Sequence, residues 1–422
     1  MAISSFPSST LHIPKRVLVI GGGPTGLVSL RNLKERGQFE HVELFERRDN
    51  IGGVWHFDDL ASSKSASKGP RWPSPAYQGL IGNTPHQPFP TLKETNEYLQ
   101  KFAFPYIQSG AIKLNREVAR VDELPNQRGW RVTSRDWNAG GKEEEELWDA
   151  VVVAVGWYDN PVWPATEGLE ELRKRGLAKH AKSWRGPQGY DGKKALVIGN
   201  PNSSNDIAFQ LAPIASGPVY QSIRRPAFPI FVSLPDERIK SVARASKYFL
   251  KTTSEGDKFD ALLCDGTLLT DLDTVQVAPT EYLHRHIMSA YNPSLVFVGV
   301  PVVYTPFPIA DVVSTWIVLA WLGETPYPNT PDGRLTYEGE RLASIDKWQQ
   351  GIKNPSSLVV YNVLGPTEQE YARQLREDIV KARPELGKIL PVWNDERTAL
   401  REAIYGKKLN ALQYAKSRTN SI

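Results

Sequence analysis

Three glycines at positions 21, 23 and 26 are the residues of this chain whose type and spacing speak first to chemistry. They lie in KRVLVIGGGPTG (Lys15–Gly26), where a β-branched and aliphatic run, Val17–Ile20, opens into the glycines and a helical pattern, Leu27–Arg36, follows. Strand, glycine turn and helix N-terminus in that order can seat a dinucleotide pyrophosphate on backbone N–H groups at the positive end of a helix. Gly21 permits the tight turn, Gly23 lets the backbone approach the phosphates, and Gly26 lets the helix pack close on the strand. The next strand, Val42–Glu46, ends on an acid. Its distance from Gly26 is the one at which an adenosine ribose hydroxyl needs an acceptor.

The pattern recurs. A second strand at Ala195–Ile198 leads into Gly199-Asn200-Pro201-Asn202-Ser203-Ser204 and a helix over Asp206–Leu211. The offset that separates Gly21 from Gly199 also carries Glu46 onto Arg224, at the end of a strand read over Val219–Arg225. An acid at that place accepts from a free 2′-hydroxyl, whereas an arginine accommodates a 2′-phosphate. Arg224 is therefore the expected phosphate ligand, with Arg225 in reserve, and the chain is expected to hold two nucleotides, one such as FAD and the other NADPH.

The elements that must position these residues read as α/β. Asp149–Gly156 (DAVVVAVG) is a near-continuous apolar strand of the kind buried on both faces. Leu92–Phe102 has helical spacing, and Ala111–Val121 reads as extended with its break at Asn115 and Arg116. Arg131–Trp137 and Leu147–Ala154 read as a hairpin whose turn is the acidic run Lys142–Glu146, a solvated loop rather than an acid catalyst. Asp58–Pro75 reads as an exposed linker, and Tyr158–Glu167, with Pro161 and Pro164, as a crossover between domains.

Composition sets the outer bounds. A chain of 422 residues can form two or three domains. A net charge of +4 gives no reason to expect nucleic acid or an anionic membrane as partner. A lone cysteine, Cys264, rules out an internal disulfide and a cysteine-based metal site, and suits a reducing compartment. The N-terminus lacks a signal-peptide pattern. The longest apolar run, Val312–Leu322, carries Ser314 and Thr315 and is too short for a membrane span, so it reads as a buried helix. The expected location is the cytoplasm.

With these residues in place the chain resembles the flavin-containing monooxygenases, the class that also holds the Baeyer–Villiger enzymes. The resemblance rests on GGGPTG (Gly21–Gly26), the Phe45–Trp55 stretch FER-x-x-x-IGG-x-W, L-x-x-N-x-P (Leu80–Pro85), DAVVVAVG, and Gly176-x-x-x-His180-x-x-x-Trp184. It extends to GN-x-x-SS-x-DIA (Gly199–Ala208), PSLVFVGVP (Pro293–Pro301) and the helix-like Ala310–Gly323. It implies two Rossmann-like domains: an FAD domain split between 1–162 and 279–422, with an NADPH domain, 163–278, inserted. Gly21, Gly23, Gly26 and Glu46 would hold the FAD pyrophosphate and ribose, and Gly53 and Trp55 would lie along the flavin. Gly199, Asn202, Ser203, Ser204 and the two arginines would hold NADPH. Asn83 looks like the family's active-site asparagine, and His180 is expected to be structural or hinge-related. No metal site is expected. The partners implied are a small-molecule substrate and O₂, with a homodimer open.

The chemistry implied by the resemblance is hydride transfer from NADPH to flavin, capture of O₂ as a C4a-hydroperoxyflavin, and oxygen transfer to a soft nitrogen or sulfur. Baeyer–Villiger members carry an arginine after GG-x-W, and GGVWHFDDL has none. Trp184 leans the other way, since the Baeyer–Villiger fingerprint has Trp there. Other departures are Pro201 in place of a second turn glycine, Val155 for the Thr of an A-T-G segment, and Lys174 for an aromatic. No second T-G-Y segment is found at Asp273–Thr280, and the chain near Asn83 and after Asp273 looks short. Ketone oxygenation and an impaired flavin-binding protein therefore stand as alternatives to N- or S-oxygenation.

Overall fold

The computed structural model describes residues 13–56, 90, 92–156, 161, 163–184, 186–199, 202–224, 236–254, 256–277, 287–303, 305–350, 363–400 and four single residues beyond (403, 407, 410, 413). Described residues fall into two compact units, one drawing on 13–56, 96–156 and 287–398, the other centred on 161–277.

The first unit begins with β1 (Arg16–Ile20), α1 (Pro24–Arg36) and β2 (His41–Phe45). Next come α2 (Leu92–Gln108), the short β3 (Ile112–Lys113), and an antiparallel trio, β4 (Arg116–Glu123), β5 (Trp130–Asp136) and β6 (Lys142–Trp148). β7 (Ala150–Val153) returns beside β1. In the second unit α3 (Leu169–Lys174), β8 (Ala178–His180), β9 (Ala195–Ile198), α4 (Asn202–Leu211), β10 (Val219–Ser222) and β11 (Ile239–Val242) are followed by β12 (Ala245–Thr253), β13 (Gly256–Leu263), β14 (Leu268–Leu272) and β15 (Thr274–Val277). The chain closes with β16 (Leu295–Phe297), α5 (Pro306–Trp321), α6 (Pro331–Gln350) and α7 (Glu368–Ala382). β16 pairs with β7, so the first unit's sheet takes its last described strand from late in the chain.

Each unit is built the same way. The first has a parallel sheet in the order β16-β7-β1-β2-β3, and the second a parallel sheet in the order β11-β10-β9-β15-β8. Alternate residues of the central strand serve opposite faces. Val17 and Val19 pack with Leu27 and Leu30 of α1 and with α5, while Leu18 joins Phe45, Trp130, Val132 and Trp148 beneath the antiparallel trio. In the second unit Ala195 and Val197 pack with Ile207, Ala208 and Leu211 of α4, while Leu196 joins Phe259, Ala261 and Leu263 beneath β12–β14. Leu18 and Leu196 stand at the same offset as Gly21 and Gly199. The repeat thus lies in the core as well as in the turns.

Val312–Trp321 is wholly buried in α5, as its apolar run predicts. No helix among the described residues is long and apolar enough to cross a membrane. Where α5 meets α1, the Asn32 amide donates to Ser314 Oγ at 2.7 Å and Asp311 Oδ1 at 3.0 Å, and Asp311 also pairs with Arg31 and Arg36. Burial pushes the Arg36 pKa down, against the pull of Asp311.

Three local expectations are corrected. The acidic run is not a turn: Lys142–Trp148 is strand β6, paired antiparallel with β5, and the turn falls on 137–141, with Gly140 and Gly141 at φ +70° and +82°. Arginines make this possible. Arg116 meets Glu144 at 2.6 Å and Glu146 at 3.2 Å, and Arg135 meets Glu143 at 2.9 Å, so the glutamates are neutralised across the sheet. The strand expected over Val219–Arg225 is shorter, ending at Ser222, and α4 begins at Asn202, before the expected Asp206. Of the break expected at Asn115 and Arg116, Asn115 holds it, at φ +58° between β3 and β4, while Arg116 already opens β4.

Candidate functional site

The first glycine turn sits at the carboxyl end of β1, the central strand between β2 and β7. Gly21 has φ +107°, and its N–H donates to Phe45 O at 2.9 Å. A Cβ on Gly26 would lie 1.8 Å from Gly21 O, so no larger residue fits without moving the helix off the strand. Gly23 is different. It has ordinary dihedrals, and its Cβ would meet nothing nearer than Gly53 Cα at 3.7 Å. The protein's own packing does not require glycine at 23, whereas a phosphate lying on the backbone does.

Glu46 follows β2 directly and is buried at 7% exposure. Its Oε2 accepts from Gly22 N at 2.6 Å and its Oε1 from Arg48 N at 2.9 Å. Each oxygen keeps a further lone pair for a ribose hydroxyl. The Ile51–Trp55 stretch is stitched to the same turn: Gly52 N donates to Gly22 O at 2.9 Å, and Arg48 Nη1 to Gly53 O at 2.7 Å. Gly53, at φ +57°, would place a Cβ 3.0 Å from Gly23 Cα. Trp55 stands edge-on to Phe307, in the first turn of α5, at 6.3 Å. Gly21, Gly23, Gly26, Glu46, Gly53 and Trp55 thus gather around one turn. Their glycine N–H donors and the Glu46 acceptor match the phosphates and free ribose of an adenosine dinucleotide, so a flavin dinucleotide fits them.

The second turn repeats the first with a slip of one position. Gly199, at φ +99°, donates its N–H to Ser222 O at 2.9 Å, as Gly21 does to Phe45 O. The offset at the strand end is therefore one less than at the glycine, because the helix and connection between are shorter by one position. Glu46 corresponds to Ile223, and Arg224 to Arg47. The expected one-to-one exchange of Glu46 for Arg224 is corrected accordingly. Arg224 is exposed, just past the end of β10, and Arg225 lies outside the described residues. Ser203 is half-buried on α4, while Ser204 is fully buried, with no partner for its hydroxyl among the described residues. Asn202 opens the helix, and its side chain is outside the described structure. Asn83 also lies outside the described residues.

His180 ends β8 in register with Val277, its ring 5.5 Å from Trp163. Trp184 is buried, and its Nε1 donates to Gln210 Oε1 at 3.3 Å, so it packs α4. Sequence reasoning missed Arg48, which latches the Gly53 carbonyl, and Gln221, whose amide donates to Gly199 O at 3.0 Å and Asn205 Oδ1 at 2.8 Å. A glutamine inside an otherwise buried strand was the available signal for the second. No cluster of metal-ligating side chains occurs among the described residues.

Two α/β units, each with a glycine turn on its central strand, define a protein built from paired folds of the Rossmann-like kind. The family described as "Flavin-binding monooxygenase-like" matches residues 14–230, and the chain belongs to it. It is similar to the flavin-containing monooxygenase FMO GS-OX3 of Arabidopsis thaliana, at 27% identity over 77% of each chain. It is also similar to the flavin-containing monooxygenase ustF1 of Aspergillus flavus, at 28% identity over 93% of each. Among solved structures, the S-allyl-L-cysteine S-oxygenase of Allium sativum superposes with a TM-score of 0.65 at 21% identity, covering 93% of this chain and 98% of that one. The protein is an oxidoreductase of the flavin-containing monooxygenase kind.

Proposed function

We propose that the protein uses FAD, NADPH and O₂ to oxygenate a small organic molecule at a soft nucleophile, nitrogen or sulfur. One observation carries the reading: two glycine turns of the same build are followed at the matched position by a buried acid, Glu46, in one case and by Ile223 in the other, where no acid competes with the exposed Arg224 one residue on. An acceptor selects a free ribose and a guanidinium a phosphorylated one. Bound flavin would supply the acceptor for the NADPH hydride and the activation of O₂. This chain's residues hold and shield. Gly23 opens the backbone to the pyrophosphate, Glu46 accepts from the ribose, and Trp55 with Phe307 keeps an apolar edge beside Gly53. Asn83 is assigned to the active site on its resemblance alone. The absence of arginine from GGVWHFDDL, which ends at Leu60, supports nitrogen or sulfur over ketone oxygenation, and the S-oxygenase name of a structural neighbour agrees with that choice.

The test is aerobic incubation of the flavin-loaded protein with NADPH and a panel of amines, thioethers and ketones. N-oxides or sulfoxides formed in step with NADPH oxidation are expected. Lactones or esters alone would move the assignment to Baeyer–Villiger chemistry, and hydrogen peroxide as sole product with every nucleophile would remove the proposal.

A further inference from the structure

Asn96 lies on α2 at 7% exposure, and its side-chain Nδ2 has no hydrogen-bond partner among the described residues. The amide points at the Gly52–Gly53 turn: a Cβ built on Gly52, at φ +121°, would sit 2.9 Å from Asn96 Nδ2. One turn along the same helix face, Gln100 Nε2 donates to Asn50 Oδ1 at 2.6 Å, and that oxygen also accepts from Ile51 N at 2.9 Å. The polar side of α2 therefore grips the turn at one point and leaves a donor pair idle at the next. A buried donor left unpaired costs on the order of 1–3 kcal/mol, and an apolar side chain of the same size would avoid that cost. Gly52 N bonds Gly22 O at 2.9 Å, so the turn that the idle donors face is itself joined to the first glycine turn.

We infer that Asn96 is a cofactor-binding residue whose amide donates to an oxygen in the polar middle of bound FAD, a ribityl hydroxyl or a phosphate. The inference rests on the flavin reading above. It makes Asn96 a residue that destabilises the empty protein and is satisfied in the loaded one.

The experiment compares wild type, Asn96→Leu and Asn96→Asp for binding of FAD, riboflavin and ADP-ribose by calorimetry, together with the thermal midpoint of the apo-proteins. Asn96→Leu should raise the FAD Kd about tenfold, which is about 1.4 kcal/mol, and leave the apo midpoint equal to or above wild type. Asn96→Asp keeps the shape without the NH₂ and should weaken FAD at least as much, so the inference stays testable if the leucine variant fails to fold. Loss shared with ADP-ribose assigns the contact to a phosphate, and loss shared only with riboflavin assigns it to the ribityl chain. An unchanged FAD Kd in both variants overturns the inference while leaving the flavin reading intact. Wild type that binds no FAD overturns both.

Discussion

Glu46 Oε2 lies 2.6 Å from the backbone nitrogen of Gly22, so the acid after β2 holds the glycine turn after β1 before any ligand arrives. Its removal therefore has two effects. Glu46→Ala orphans a buried N–H and should cost on the order of 1–3 kcal/mol of apo-protein stability. It should also weaken FAD by about tenfold or more, since a ribose acceptor is gone. Glu46→Gln, which still accepts from Gly22 but turns its NH₂ toward the Arg48 N–H, should restore only part of the stability. Chemical denaturation and FAD titration on the same three proteins separate the two roles.

The glycines of the turn divide by what they serve. Gly26→Ala puts a methyl 1.8 Å from Gly21 O and should lower stability by about 3 kcal/mol or more. Gly23→Ala meets only ordinary contact at 3.7 Å and should leave the apo-protein within about 0.5 kcal/mol of wild type. That same methyl should cut FAD affinity sharply. Equal loss of stability in both variants would refute the division.

Arg224 stands exposed, just beyond β10. Arg224→Ala should raise KM for NADPH by about tenfold to a hundredfold, the scale of a charge-assisted hydrogen bond to phosphate, with the KM for NADH nearly unchanged. Steady-state flavin reduction with both nucleotides reads the ratio. An unchanged preference passes the role to Arg225.

Acid sensitivity should come in part from Glu324. Arg383 grips its carboxylate with two hydrogen bonds of 2.7 Å and holds its pKa below the usual 4.5. Because the folded-state pKa is the lower one, the stabilisation is present above the unfolded value and disappears as pH falls through the folded value. Glu324→Gln should cost about 1 kcal/mol at neutral pH, the scale of a well-formed, partly exposed pair. That difference should shrink as the pH falls below the usual 4.5 and disappear once the folded-state carboxylate is protonated, as measured by urea denaturation across pH.

The repeat was legible because both glycine turns and both central strands obey the same packing rule, and Leu18 and Leu196 keep its spacing. The slip that moves Glu46 opposite Ile223 was not. Helix and loop lengths can change by one position without disturbing either core, and only the hydrogen bonds of Gly21 and Gly199 reveal where each strand ends. β6 was hidden for an electrostatic reason: four glutamates in a row read as solvated, and the arginines that pair with them come from β1, β4 and β5. Asn96 and Arg48 carry no local motif. Their meaning lies in Gly52 and Gly53, which they approach from a helix and from a neighbouring turn.

The glutamate strand has one more consequence. β6 is the outermost strand of its three-stranded sheet, where open backbone groups would otherwise template the docking of another extended segment. A newcomer aligning there would confront Glu143, Glu144, Glu145 and Glu146 in succession, without the guanidinium groups that already balance them from within. What reads as an odd acidic run thus leaves that border a poor template for a further strand, because an incoming segment would have to supply guanidinium groups of its own.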